Sequence, residues 1–480
     1  MLKVLGLKHD AVIPAIIGVL VVMASAYIHY PDATYSRDPN EAVHVTPVTI
    51  FERIIGRSTG YNDFGFKYSD IVYGVFNRVF KDVVSNGLFN VGKASEQWFK
   101  PSVIEGLVRG SKQCPIPYMD YKFEYPPIVG FIWYLTTCIG IMIVLPDNYS
   151  IVDYSRYLVS IVRVHYILQS AFIGAGMVAL TYYVVRIAKE LGVSSRRILL
   201  FVVLPSTLMY SVYNWDILTT AMLAAGVYYL MKGRYFKSGI AIGASISIKL
   251  LPIVAAFILA YDLAQRGSTK DFTKFSAGLL ALGALPYVVI AIASPSGLSY
   301  FIEHHMSWYC ENCIYLPFIN DLWSPLHRVL YMVCLITCSL AICSVNIDSK
   351  AKVLLASYLA VSASVIFNYV FSPQMMLLIT PLAVIALDKR DLPLLITADA
   401  ANMGIMATFF ADQWFRELVY PYLVSSTNFS PHTIDSPVQW IATLRNYLLA
   451  VLVVIYLAKL IKFEAMSQKA QELNKSASLS

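Results

Sequence analysis

Charged residues are scarce in this chain, so each ionisable side chain at the edge of an apolar run is a candidate for chemistry. Asp70 ends the triplet Tyr68-Ser69-Asp70 and opens an amphipathic stretch that runs to Phe80. Asp120, Lys122, Glu124 and Tyr125 stand in the segment Pro117 to Pro127, which leads directly into an apolar run. Asp216 follows Asn214-Trp215 between two apolar runs, Lys249 and Pro252 interrupt a third, and Gln374 follows Ser372-Pro373 at the start of a fourth. One carboxylate with cations close by can take a proton from a hydroxyl and steady an anionic leaving group. Plainer roles compete for the same residues. Asp70 and Asp216 can each cap the helix that follows. Lys249 can snorkel to an interface. Asp120, Lys122 and Glu124 can make local ion pairs in a solvated loop. Gln374 can mark a span boundary, although free N–H groups at a helix start also suit phosphate. Glu303-His304-His305 invites a metal reading, but adjacent side chains do not share a helix face.

A membrane must surround these residues. The chain has 480 residues, of which 57% are hydrophobic and only 14% charged, whereas soluble domains carry about 25% charged residues. A soluble chain this apolar has too little polar surface to cover itself, so the surplus faces lipid. The 33 tyrosines suit membrane interfaces, where a ring can be half wet. The net charge of +7 fits basic cytoplasmic loops, and no basic run is long enough to indicate nucleic acid. Cys138, Cys334, Cys338 and Cys343 lie in apolar runs and read as small core residues. Cys310-Glu-Asn-Cys313 lies in a polar segment and is a disulfide, half a metal site or a coincidence; an exported loop favours the disulfide, and the second half of a zinc site is missing.

Four segments follow from the pattern. Residues 1–28 form a cytoplasmic N-terminus, marked by Lys3 and Lys8, and a first span; Ala24-Ser25-Ala26 resembles a signal-peptidase site, but the run reads as a retained span. Residues 29–127 form a large exported loop with as many basic as acidic residues and with short amphipathic pieces, at 70–80 and 99–107, expected to lie along the membrane surface. Residues 128–461 hold the remaining apolar runs, of which 155–185 is long enough for two short helices. Residues 462–480 form a polar, disordered cytoplasmic tail. The expected fold is all-α and polytopic, with roughly 11 to 13 transmembrane helices of about 20 residues each.

The basic clusters pose a parity problem. Arg186, Lys189, Arg196 and Arg197 form one; Lys232, Arg234 and Lys237 a second; Arg266, Lys270 and Lys274 a third. Basic loops belong in the cytoplasm, yet only one apolar run, 238–260, separates the second from the third. Either the third loop breaks the rule, or that run is a broken hairpin that returns to the same side, with Lys249 and Pro252 at the break. Irregular backbone at membrane depth is tolerated only against protein or a wet cavity.

The order of motifs resembles the membrane-embedded glycosyltransferases of the GT-C superfamily, and within it the polyprenyl-phosphate-mannose-dependent mannosyltransferases. The resemblance rests on Tyr68 to Asp70 in the first loop, Tyr125 to Pro127 opening a span, Asp216, Lys249 to Pro252, and Ser372 to Gln374. It implies transfer of a hexose, mannose by this likeness, from a polyprenyl-phosphate donor to a glycan or lipid acceptor on the exported face. It implies Asp70 as the base of an inverting transfer, with Tyr68, Asp120, Glu124 and Tyr125 positioning sugar and Lys249, Asp216, Gln374 and Lys122 at the donor phosphate. A lipid phosphate leaves readily as an anion, so one carboxylate suffices, unlike glycoside hydrolysis, where an alkoxide must be protonated. The first loop lacks an Asp-x-Asp pair, which leaves open a need for a divalent cation, Mg or Mn. The implied partners are the lipid-linked donor, the acceptor and membrane lipid, in the plasma membrane of a prokaryote or the endoplasmic reticulum of a eukaryote. A secondary transporter, or a non-catalytic subunit of a glycan-assembly complex, is the alternative. Transporters show internal repeats and midplane charges; this chain shows no repeat between its halves, and its acids lie at span edges.

Overall fold

A computed structural model of the protein describes residues 9–31, 68–81, 83–85 and 88–479. Lys3, Lys8 and the loop between 32 and 67, to which the sequence assigns the cytoplasmic start and part of the exported loop, lie outside the described residues. The first helix is α1 (His9–Ile28). The described part of the first long loop contains α2 (Asp70–Lys81), wound with the wide π spacing, a small hairpin of β1 (Val84–Ser85) and β2 (Leu88–Phe89), and the short helices α3 (Val91–Gln97) and α4 (Pro101–Val108). Then come α5 (Pro127–Val144), α6 (Ile151–Glu190), α7 (Ile198–Val203), α8 (Pro205–Tyr210), α9 (Asp216–Met231), α10 (Tyr235–Ile248), α11 (Ile253–Gln265), α12 (Thr269–Gly283), α13 (Leu285–Ala293) and α14 (Pro295–Met306). The chain closes with α15 (Leu326–Cys343), α16 (Lys350–Ile366), α17 (Met376–Ala386), α18 (Leu392–Phe410), α19 (Asp412–Val419) and α20 (Pro437–Leu479).

The protein is all-α and polytopic. Among the described residues seven helices are long and apolar enough to cross a membrane, and shorter apolar helices lie at Asp216–Met231, Ile253–Gln265 and Pro373–Ala386. The apolar runs therefore do not each become one full span. Proline sets many of the breaks, because it lacks an N–H and fits only the first turn of a helix. It starts α4, α5, α8, α14 and α20. The run at 155–185, expected as two short helices, is part of one 40-residue helix started by a Ser150–Asp153 capping box. At 1.5 Å per residue such a helix is about 60 Å long, so it spans and also projects beyond α1. Its N-terminal part pairs antiparallel with α5, with Thr136 opposite His165 and Gly140 opposite Ile161. Within Ala24-Ser25-Ala26, Ser25 is buried and accepts from the Val212 N–H, Tyr166 donates to the Ala26 carbonyl, and Ala24 is exposed.

The parity problem resolves in favour of the returning hairpin. Helix α9 runs antiparallel to α10, with Ser238 bonded to the Gly226 carbonyl and Ser245 to that of Thr219. Helix α12 runs parallel to α10: Gly239 meets Phe275, Gly243 meets Leu279 and Ser247 donates to the Leu282 carbonyl. Two parallel neighbours joined in sequence need a return between them, and α11 supplies it. The chain turns at Lys249–Pro252 and comes back, so all three basic clusters share one end of the bundle. Lys232 pairs with Glu190 there at 2.8 Å. The contact between α10 and α12 leaves no room for side chains, since a Cβ on Gly243 would lie 2.7 Å from the Leu279 carbonyl oxygen. Gly243→Val should force these helices apart at a cost of roughly 1–3 kcal/mol or more, read as a lower melting temperature in detergent. Gly233, outside this contact, should tolerate Asn.

Helix α2 corrects another expectation. Its apolar stripe does not lie on lipid. Ile71, Val75, Phe76, Val79 and Phe80 are buried in the protein, with Phe76 against Trp133 of α5 and His165 of α6. The stripe is the same; protein rather than bilayer covers it. A disulfide between Cys114 and Cys138 holds the end of this loop to α5, so Cys138 is not a free core cysteine. Cys310 and Cys313 form a second disulfide. The tail expected to be disordered continues α20 to Leu479; about half of it is Ala, Gln, Glu and Lys, which are good helix formers.

Candidate active site

At the end of the bundle opposite the basic clusters lies a cavity of about 620 Å³. It is walled by α2, the residues before α5, the turn before α9, the α10–α11 turn, α14 with the loop after it, the turn before α17, and α18. Asp70 sits in its wall. Rather than capping its own helix, its carboxylate accepts from Asn214 Nδ2 at 2.8 Å and Gln374 Nε2 at 3.3 Å, and from Tyr68. Asp70 keeps some surface open to the cavity. Burial nonetheless pushes its carboxyl up from the usual range to about 7, against the Asn214 hydrogen bond and Lys249, which pull it down; Glu124 and Glu311 push it further up. A carboxylate poised near neutral pH is suited to take a proton. Gly74 lies one turn on, and any side chain there would meet the Tyr68 hydroxyl and the Asp70 carboxylate.

Lys249 lies at the tip of the returning hairpin and lines the cavity. Its Nζ is 2.5 Å from Asp216 Oδ1. Asp216, the first residue of α9, is fully buried behind Lys249 and does not line the cavity; its second oxygen finds no partner among the described residues. The acid therefore acts on the site through the lysine. Glu124 pairs with Arg78 and approaches His304 Nε2 at 3.3 Å. Burial lowers the His304 imidazole, and Glu124 opposes that. Tyr125 lines the cavity with its ring against Trp215.

Besides Asp216, two expected residues stay outside. Asp120 accepts from Lys100 Nζ at 3.0 Å and from the Ile116 N–H at 2.8 Å, tying the loop to itself. Lys122 lies over the Tyr300 ring at 5.5 Å and does not line the cavity. Both flank Tyr121, a fully buried ring, and Asp120 lies in the turn at 118–120, where the Ile116 N–H and Lys100 occupy its carboxylate.

The cavity also holds Arg78, Trp308, Glu311 and His432, which the sequence did not single out, and His304 and His305, which it weighed only as metal ligands. Arg78 was legible, since Asp70, Gly74 and Arg78 repeat every four residues and so share one helix face. Glu311 carries no such signal. It is oriented by Trp308 Nε1 at 2.9 Å and Ser372 Oγ at 2.8 Å. The Cys310–Cys313 bridge encloses it, and Asn312 takes a left-handed φ of 51° that asparagine tolerates. Behind this wall Arg445 is fully buried, bonded to the carbonyls of Asn312 and Phe371 and to Asn402. It fixes the turn that delivers Ser372 and Gln374. Among the described residues the one group of three ligand atoms within 4.8 Å of one another is Cys310, Cys313 and His327; two of these are spent in the disulfide.

Because Glu311 pushes the Asp70 carboxyl up, Glu311→Gln should move the acid limb of any Asp70-dependent rate to lower pH. A carboxyl that acts as a base works deprotonated, so a lower value would extend activity downward. The check is the pH profile of kcat/KM; a limb that stays in place separates Glu311 from Asp70.

The arrangement of one carboxylate, a lysine over a buried acid and an acid–arginine–histidine cluster can activate a hydroxyl beside an anion. Comparison with known proteins finds no match among curated proteins or solved structures. Residues 125–387, more than half of the chain, do match one family description; the matched stretch includes Tyr125, Asp216, Lys249 and Gln374, while Asp70 precedes it. The chain belongs to glycosyltransferase family 87, a membrane-embedded family of the GT-C kind.

Proposed function

We propose that the cavity transfers one hexose, mannose by resemblance, from a polyprenyl-phosphate donor to a glycan or lipid acceptor on the exported face, with inversion and with Asp70 as the base. The observation that carries this is Asp70 itself. It is held by Asn214, Gln374 and Tyr68 rather than by its own helix, and it shares one cavity with Lys249. The acceptor oxygen attacks the anomeric carbon while its proton passes to Asp70. The bond from that carbon to the phosphate oxygen breaks, and the phosphate leaves as an anion on its lipid. Lys249 stands where a cation would steady that charge. Glu124 and Tyr125 supply polar and aromatic contacts for sugar. Basic clusters at the opposite end support a cytoplasmic placement for that end, and so an exported cavity in a plasma membrane or endoplasmic reticulum.

The test offers radiolabelled polyprenyl-phosphate hexoses, one sugar at a time, to the protein in liposomes with a panel of glycan and lipid acceptors. Label transfer from the mannose donor, with the anomeric configuration inverted in the product, is the expected result. Transfer only from nucleotide sugars would overturn the donor assignment. Running the same assay with EDTA reads any need for Mg or Mn.

A further inference from the structure

The connection between α18 and α20 is built inside out. Asp412 and Arg416, the charged residues of its inner face, are 0% and 1% exposed, whereas Leu418, Tyr422 and Leu423 are 61%, 90% and 62% exposed. Arg416 explains the inward polarity. Its guanidinium reaches Asp412, Asp435, the Thr433 hydroxyl and the carbonyls of Ser426 and Ser430, so every polar strand of the loop is tied to one buried cation. The outer side is then left to a continuous apolar run, Leu418-Val-Tyr-Pro-Tyr-Leu423. In water such a patch is a liability. Here it lies in the connection between two helices long and apolar enough to cross a membrane, at Lys389–Phe410 and Pro437–Glu464. Tyrosine and proline in place of charge are what a chain presents at the boundary between headgroups and acyl chains, where a ring is apolar at one end and wet at the other.

The same connection closes one side of the cavity. His432 lines it from within the loop, and Phe409 and Phe410 line it just before α19 begins. A segment seated in the lipid and walling the cavity sets where the two communicate. We propose that residues 418–423 insert into the headgroup–acyl boundary of the leaflet on the cavity side and hold the α18 wall at that level, so that lipid-borne substrate enters the cavity from the leaflet past Phe409 and Phe410. The entry part rests on the lipid-linked donor of the proposed function; the insertion part does not.

A photoreactive benzophenone amino acid is placed at position 422 of the full chain in phosphatidylcholine liposomes, and at Arg109, an exposed site on α4, as control. Irradiation should give phospholipid adducts at 422 in clear excess over 109. No excess, or adducts to protein in place of lipid, overturns the insertion whatever the enzyme transfers. The second measurement uses Leu418→Ser/Tyr422→Ser/Leu423→Ser. With a long-chain donor in liposomes its KM should rise roughly tenfold or more, as expected when several apolar side chains leave the lipid. With a short-chain, water-soluble donor KM should match wild type, which also shows that the variant is folded. An equal change with both donors overturns the entry route while leaving the donor assignment intact. No transfer from either donor by wild type removes the donor assignment, and with it the entry route, and the crosslink then decides the insertion alone.

Discussion

Asp70→Asn should leave a folded protein that transfers sugar about 10²- to 10⁴-fold more slowly than wild type, the usual contribution of a positioned base. Asparagine keeps the size of the side chain and an oxygen that can accept from Asn214, Gln374 or Tyr68. It cannot take a proton. The loss should fall on kcat, with donor binding little changed. The pH dependence offers a second signature. Wild type should lose activity as pH falls through about 7, because the carboxyl held there by burial becomes protonated. The residual rate of the variant should lack that limb. Thermal melting in detergent confirms folding. A variant as fast as wild type would take Asp70 out of the chemistry and move attention to Glu124 and Glu311, the two other carboxylates lining the cavity.

Lys249→Met should do two separable kinds of damage. Asp216 is fully buried, and Lys249 is the partner of its Oδ1 at 2.5 Å. Removing one member of a buried pair leaves an uncompensated charge and costs roughly 3–5 kcal/mol, so the variant should melt well below wild type. Methionine also removes the cation that lines the cavity, and if it steadies the leaving group as proposed its loss should lower kcat/KM by about 10²- to 10³-fold. The double variant Lys249→Met/Asp216→Asn separates these effects. With no buried charge left over, its melting temperature should recover most of the loss. Its transfer rate should not. Recovery of both would make the lysine a structural partner of Asp216 and nothing more.

The membrane setting could be read from composition, because lipid-facing surplus is a bulk property of the chain, and the helices from apolar runs of about 20 residues. The hairpin at Lys249–Pro252 could be read as one of two options, because charge placement is conserved along a sequence but direction of travel is not; only the parallel packing of α10 and α12 decides between them. The cavity was legible at Asp70, Lys249 and Gln374, which the order of motifs singled out and which all line it. It was hidden where tertiary contact does the selecting. Glu311 is an ordinary loop acid until Trp308 and Ser372 orient it, and Asp120 is an equally ordinary one that Lys100 draws away. The reading of α2 as a surface helix failed for a related reason. Amphipathicity states that a face will be covered without stating by what.

The hydrogen bond between Asp70 and Gln374 joins residues 304 apart in sequence. A ribosome adds about 5–20 residues per second, so Asp70 emerges roughly 15–60 s before the side chain that completes its surroundings. Asn214 and Lys249 arrive in between. Until the turn that bears Gln374 is made, the wall carrying it does not exist, and Asp70 faces an unfinished hollow. A truncated or stalled chain should therefore be unable to transfer sugar, and the growing polypeptide can lie in a membrane beside its donor without consuming it.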